Sequence, residues 1–108
     1  MTQADGVLKL QLTPNDVGAK LALIHSEVSE ALEAVRDGEL ATYEIGPDGT
    51  RYDAPAGHKP EGLPVELADI VIRVADLAGA MGVDLEDAVI RKMQYNAGRP
   101  MRHGGKRL

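Results

Sequence analysis

Two acidic pairs hold most of the chemistry legible in this chain: Glu27-x-x-Glu30 within IHSEVSEALEAV, and Glu66-x-x-Asp69 within VELADIVIRVADLAGAM. Side chains three apart on a helix are neighbours, with roughly 5 to 6 Å between their Cβ atoms. Each pair can therefore present two carboxylates in one direction, and two such helices facing each other would converge four on one point. Without a cation those groups repel, and some must take up protons. A hard divalent ion removes the conflict. All-oxygen ligation favours Mg²⁺ or Mn²⁺ over Ca²⁺, which takes more ligands than this set readily supplies. Either pair alone reads as well as surface ion pairing, of Glu27 or Glu30 with Lys20, Arg36 or a neighbouring chain. The occurrence of both, on helices with matching apolar patterns, is what points to a metal.

The elements that must position these pairs are helical. Thr13-Pro14 followed by Asn15 and Asp16 supplies cap and first-turn residues, and apolar positions recur at helical spacing from Val17 to Val35, so a first helix is expected over about 15–37. Leu21, Ile24, Val28, Leu32 and Val35 form its main apolar stripe, and Leu23, Ala31 and Ala34 a weaker one beside Glu27 and Glu30. Pro64 opens a second helix over 64–82, with Gly82 as its stop. At about 100° per residue, Asp69, Arg73, Asp76 and Ala80 fall on one narrow stripe of it, and the rest is apolar nearly all round, the pattern of a buried helix. Asp84 caps a third helix over 84–97. Lys92 and Asn96 lie there beside the face of Leu85, Val89 and Met93 and are expected to point inward, as a point charge and an amide suited to a phosphate chain. Lysine snorkelling from a core edge is the plainer reading of Lys92. Between the first two helices, Gly and Pro cluster in an insertion over 42–63, where GPDG separates two Tyr-containing arms; a loop or small hairpin is expected. LKLQL near the N-terminus alternates like a short strand but reads equally as an irregular lead-in.

Composition narrows the classes. A net charge of −5, from 17 acidic and 12 basic residues, argues against a general nucleic-acid binder. The local exception is the basic tail, where Arg91, Lys92, Arg99, Arg102, Lys106 and Arg107 gather and could hold a small anion or simply face water. The absence of Cys closes disulfide and thiolate-zinc readings and suits a reducing compartment. No leader pattern or membrane-length apolar window is visible, so a cytoplasmic protein without membrane contact is expected. There is no Gly-rich phosphate loop between a strand and a helix. Di-iron carboxylate bundles need Glu-x-x-His pairs, which neither acidic pair provides. His25, His58 and His103 are scattered, and Ser26 and Ser29 lack arranged partners for nucleophilic hydrolysis.

Taken together, Glu27-x-x-Glu30, Glu66-x-x-Asp69 and KMQYN with RP after it resemble the MazG-like all-α nucleoside triphosphate pyrophosphohydrolases, the superfamily that includes dimeric dUTPases and dCTP pyrophosphatases. The resemblance spans about residues 17–102. It implies an all-α small helical bundle, completed by assembly into a homodimer or homotetramer. It implies Glu27, Glu30, Glu66 and Asp69 as Mg²⁺ ligands and catalytic groups, with Lys92 and Asn96 on the triphosphate and Arg73 and Tyr95 as further substrate contacts. The implied reaction is hydrolysis of a ribo- or deoxyribonucleoside triphosphate to monophosphate and pyrophosphate, with Glu30 a candidate base acting through water. The chain departs from the family at Ser26, where many members carry another glutamate, and in its long insertion. With neither Phe nor Trp present, only Tyr43, Tyr52 and Tyr95 could stack on a base. Two alternatives stay open: phosphoribosyl-ATP as a larger substrate, and a non-catalytic interaction or regulatory module that keeps a structural metal.

Overall fold

The computed structural model describes residues 12–99, so all of the LKLQL segment but Leu12, and the tail residues Arg102, His103, Lys106 and Arg107, lie outside the described residues. The described chain is mainly helical, with a small sheet. Its order is α1 (Pro14–Arg36), β1 (Tyr43–Ile45), β2 (Arg51–Tyr52), β3 (Lys59–Glu61), α2 (Leu63–Met81) and α3 (Leu85–Ala97). Local chemistry accounts for the helix ends. Thr13 Oγ1 accepts from the Asp16 backbone N–H at 3.1 Å while Asp16 Oδ2 accepts from the Thr13 N–H at 2.9 Å, a reciprocal capping box. Gly82, at φ +72°, ends α2 in a left-handed turn. Asp84 then caps α3 by accepting from the Asp87 N–H at 2.9 Å.

The insertion is a three-stranded antiparallel sheet of order β2-β1-β3 rather than a hairpin alone. β1 and β2 are the two Tyr-containing arms, paired Glu44 with Tyr52 and Ile45 with Arg51 across the GPDG turn. β3, Lys-Pro-Glu, adds to the other edge of β1. Pro60 is tolerated there because an edge strand has one side that donates to no neighbour. The loop before β3 is pinned by Glu44, whose Oε1 accepts from the Ala56 and His58 N–H groups at 2.9 Å each. Those bonds hold the Glu44 carboxyl below its ordinary pKa. On the sheet, Arg51 lies 3.9 Å above the Tyr43 ring, and Tyr52 packs against His58 with centroids 4.8 Å apart.

α1 and α2 form the main tertiary contact, and β3 also touches α2. They run antiparallel: Lys20 and Leu23 lie near Asp76 and Leu77, Glu27 meets Arg73, and the Glu39 carbonyl accepts from the Leu63 N–H at 2.9 Å. The face that α1 turns to α2 is the weaker stripe, with Ala31 and Glu27 buried and Ala34 half-buried. The expected main stripe is instead largely open, with Leu21, Val28, Leu32 and Val35 all exposed. The small buried residues are Ala31 on α1 and Ala78 on α2, and Glu27, one turn before Ala31, is buried with them and bonds Arg73 of α2. α2 does not have the burial its sequence pattern predicts. Leu67, Val71 and Ile72 are 51%, 66% and 55% exposed. α3 buries no residue and has no substantial contact with any other described element.

The junction that starts α2 depends on one glycine. Gly62 adopts φ +107° and ψ 170°, and a Cβ there would collide with the Ala41 carbonyl oxygen. Its own carbonyl accepts from the Glu66 N–H at 3.1 Å, so it also sets the turn from which Glu66 projects. Gly62→Ala is expected to cost at least about 2 kcal/mol, combining a glycine-only backbone region with a backbone clash. Urea unfolding of the variant against the parent measures this.

Candidate metal site between two helices

Three of the four predicted carboxylates come together. Glu27 from α1 and Glu66 and Asp69 from α2 can each offer an oxygen such that all lie within 4.8 Å of one another. Glu27 is only 8% exposed, and Glu66 and Asp69 are half-buried. Glu66 Oε1 is buried without a hydrogen-bond partner. Burial, followed by the charges of Glu30, Asp69, Glu27 and Glu61, pushes the Glu66 carboxyl above its ordinary pKa.

Glu30 is not part of that triad. It is exposed and lines a neighbouring hollow of about 240 Å³, with Glu33, Asp37, Glu39, Glu61, Glu66 and Tyr43. The hollow is thus mostly acidic, with Ala34, Tyr43 and Gly62 completing its lining, and it adjoins the triad through Glu66. Burial, with the charges of Glu39 and Glu61, raises the Tyr43 phenol.

Arg73 was expected at the substrate; here its Nε donates to Glu27 Oε2 at 2.6 Å. The alternative reading of the first acidic pair, in which Lys20 or Arg36 neutralises it, is met for Glu27 by Arg73 and not by either of those residues. Arg36 instead sits 3.9 Å from Glu33. Beside Arg73 and two of the triad carboxylates is a hollow of about 280 Å³ lined by Glu27, Asp69, Ile72, Arg73 and Asp76.

Lys92, Tyr95 and Asn96 are not brought to the triad within the described chain. All three are exposed on α3 rather than inward-facing, because no described element covers that helix. Lys92 Nζ and the Arg99 guanidinium lie 5.1 and 5.3 Å from the Tyr95 ring centroid.

A cation that sequence reading missed stands on β3. Lys59 Nζ bonds Glu61 Oε2 at 3.0 Å. Its pKa is raised, first by that bond and by the charge of Glu61, with further pulls from Glu66 and Asp69. The insertion therefore places a lysine within the field of the acidic site. The signal was present in HKPEGLP, where a lysine precedes the start of the Glu66 helix by a few residues, but only the third strand turns it toward the carboxylates. No protein-family model matches the chain, and neither a curated protein nor a solved structure was found to match it.

Proposed function

We propose that this protein is a Mg²⁺-dependent nucleoside triphosphate pyrophosphohydrolase, releasing monophosphate and pyrophosphate. The observation that supports this most is the convergence of Glu27, Glu66 and Asp69 from two antiparallel helices onto one point, with a buried Glu66 oxygen left unpartnered. A carboxylate in that position is costly without a cation, and the all-oxygen donor set fits a hard divalent ion. Held there, Mg²⁺ would supply charge neutralisation for a triphosphate and a water of lowered pKa, with Mn²⁺ a possible substitute.

The remaining work falls to the chain's own side chains. Glu30, exposed on the hollow that Glu66 also lines, would accept a proton from the attacking water. Lys59 offers a flexible positive charge for phosphate oxygens once Glu61 releases it. Lys92, Asn96 and Tyr95 would reach phosphate and base only from the α3 of a neighbouring copy. This fits a homodimer or homotetramer, an assembly also supported by the exposed apolar faces of all three helices. No described helix is long and apolar enough to cross a membrane.

The test is incubation of the purified protein with each common ribo- and deoxyribonucleoside triphosphate, with Mg²⁺ and separately with Mn²⁺, followed by product identification. Monophosphate with pyrophosphate, lost in Glu27→Gln, is the expected result. Diphosphate with phosphate would contradict the bond proposed to break. No turnover anywhere would favour the non-catalytic helical module.

A further inference from the structure

We infer that Arg73 is an internal counter-ion that holds Glu27 in the metal-free protein and must leave it when a divalent cation binds. This rests on the metal reading above. Glu27 is the most buried acidic group described, and a buried carboxylate requires a partner. Arg73 supplies it through Nε alone, at 2.6 Å, without the two-pronged fork that a guanidinium makes in its strongest carboxylate pairs. Its side chain is 42% exposed, so one bond holds it at the site while much of it faces water.

Its surroundings give it somewhere to go. Asp69 is four residues before it and Asp76 three after, both neighbours on the helix surface. It borders two hollows, one shared with Glu27 and Asp69 and the other with Lys20 and Leu77. The guanidinium and an entering cation therefore compete for the same carboxylate. Where the cation draws on Glu27 Oε2, the atom that Arg73 holds, only molecules in which Arg73 has released it can bind, and the apparent metal affinity is reduced by that fraction. Once displaced, Arg73 stays beside the site as a free planar donor, the geometry suited to a phosphate. Its place on α2 thus couples metal loading to the appearance of an anion-binding group.

Mn²⁺ titration followed by electron paramagnetic resonance, on the parent, Arg73→Gln and Arg73→Lys, tests the competition without relying on turnover. Arg73→Gln is expected to bind Mn²⁺ roughly tenfold more tightly, about the worth of one charge-assisted hydrogen bond, and to melt lower than the parent in EDTA. Arg73→Lys should stay nearer the parent. Equal or weaker Mn²⁺ binding by Arg73→Gln, with the parent binding normally, would make Arg73 a fixed prop for Glu27 and overturn the inference alone. Failure of the parent to bind Mn²⁺ would overturn the metal site itself. Should Arg73→Gln not fold, the Arg73 Nε–H resonance of the parent decides: Mg²⁺ should shift it to a solvent-exchanging position, and an unmoved signal refutes displacement.

Discussion

Glu66→Gln should abolish Mg²⁺-dependent hydrolysis while making the metal-free protein more stable. These opposite effects follow from one geometry. Glu66 has a buried, unpartnered oxygen and faces the charges of Glu30, Asp69, Glu27 and Glu61. An amide removes the negative charge and gains N–H donors for the neighbouring carboxylates, a gain on the order of 1 kcal/mol. It also removes an anionic ligand. Since even groups that only orient metal ligands are worth 10- to 100-fold, losing a ligand should cost at least about a hundredfold in activity.

The pH dependence has a definite sign. The folded Glu66 carboxyl binds its proton more tightly than the ordinary value of 4.5, so its contribution to stability is fully present below 4.5 and is lost as pH rises through the folded value. Asp16, Glu44 and Asp48 act oppositely, because backbone N–H donors hold their pKa values down and their contribution disappears on acidification. The difference between parent and Glu66→Gln isolates the Glu66 part. In EDTA the advantage of the variant should grow as pH rises from 4.5 toward neutrality, and Mg²⁺ should erase it by stabilising only the parent. Melting curves across that range with and without Mg²⁺ make the comparison. A variant less stable than the parent in EDTA at neutral pH would mean that Glu66 is held by favourable bonds, and the metal reading would lose its main support.

What could be read from sequence divides by range. Helix ends were legible because they are local: the Thr13–Asp16 box, Gly82 as a left-handed stop and Asp84 as a cap each need only three or four residues. The arms around GPDG were legible for the same reason. β3 was not, since Lys59-Pro60-Glu61 has no apolar alternation and its pairing with β1 is decided by the Glu44 clamp and the edge position. Spacing identified the acidic pairs but could not rank their members. Residues three apart differ by about 60° around a helix, and the face that α1 turns to α2 buries Glu27 with Ala31 while Glu30 stays exposed. The Arg73–Glu27 bond joins residues 46 apart in the chain and depends on the relative placement of their two helices, information absent from either segment. Periodicity likewise revealed the apolar faces of α1, α2 and α3 without saying what covers them.

The covering of those faces leads to the second large effect: Val71→Glu should break the protein's assembly and cost more than about 3 kcal/mol. A chain of 108 residues should bury around two thirds of its unfolded surface. Yet among the described residues no large side chain is fully buried, and the two buried apolar residues are alanines. Val71 is 66% exposed on a helix apolar nearly all round, with Leu67 one turn before it and Leu21, Val28, Leu32 and Val35 open on α1. Ridges of this kind, on two helices that already pack together, suit a self-complementary surface in which each copy covers the other. A stable interface of that type needs roughly 800 Å² from each partner. The parent should therefore elute at two or four times its 11.5 kDa mass, with a melting temperature that rises with concentration. A glutamate at position 71 would sit unpaired in the buried interface, so the variant should run as monomer, unfold or aggregate. Light scattering coupled to gel filtration separates the cases. A parent that is monomeric and melts independently of concentration would refute self-assembly, and with it the delivery of Lys92 and Asn96 by a neighbouring copy.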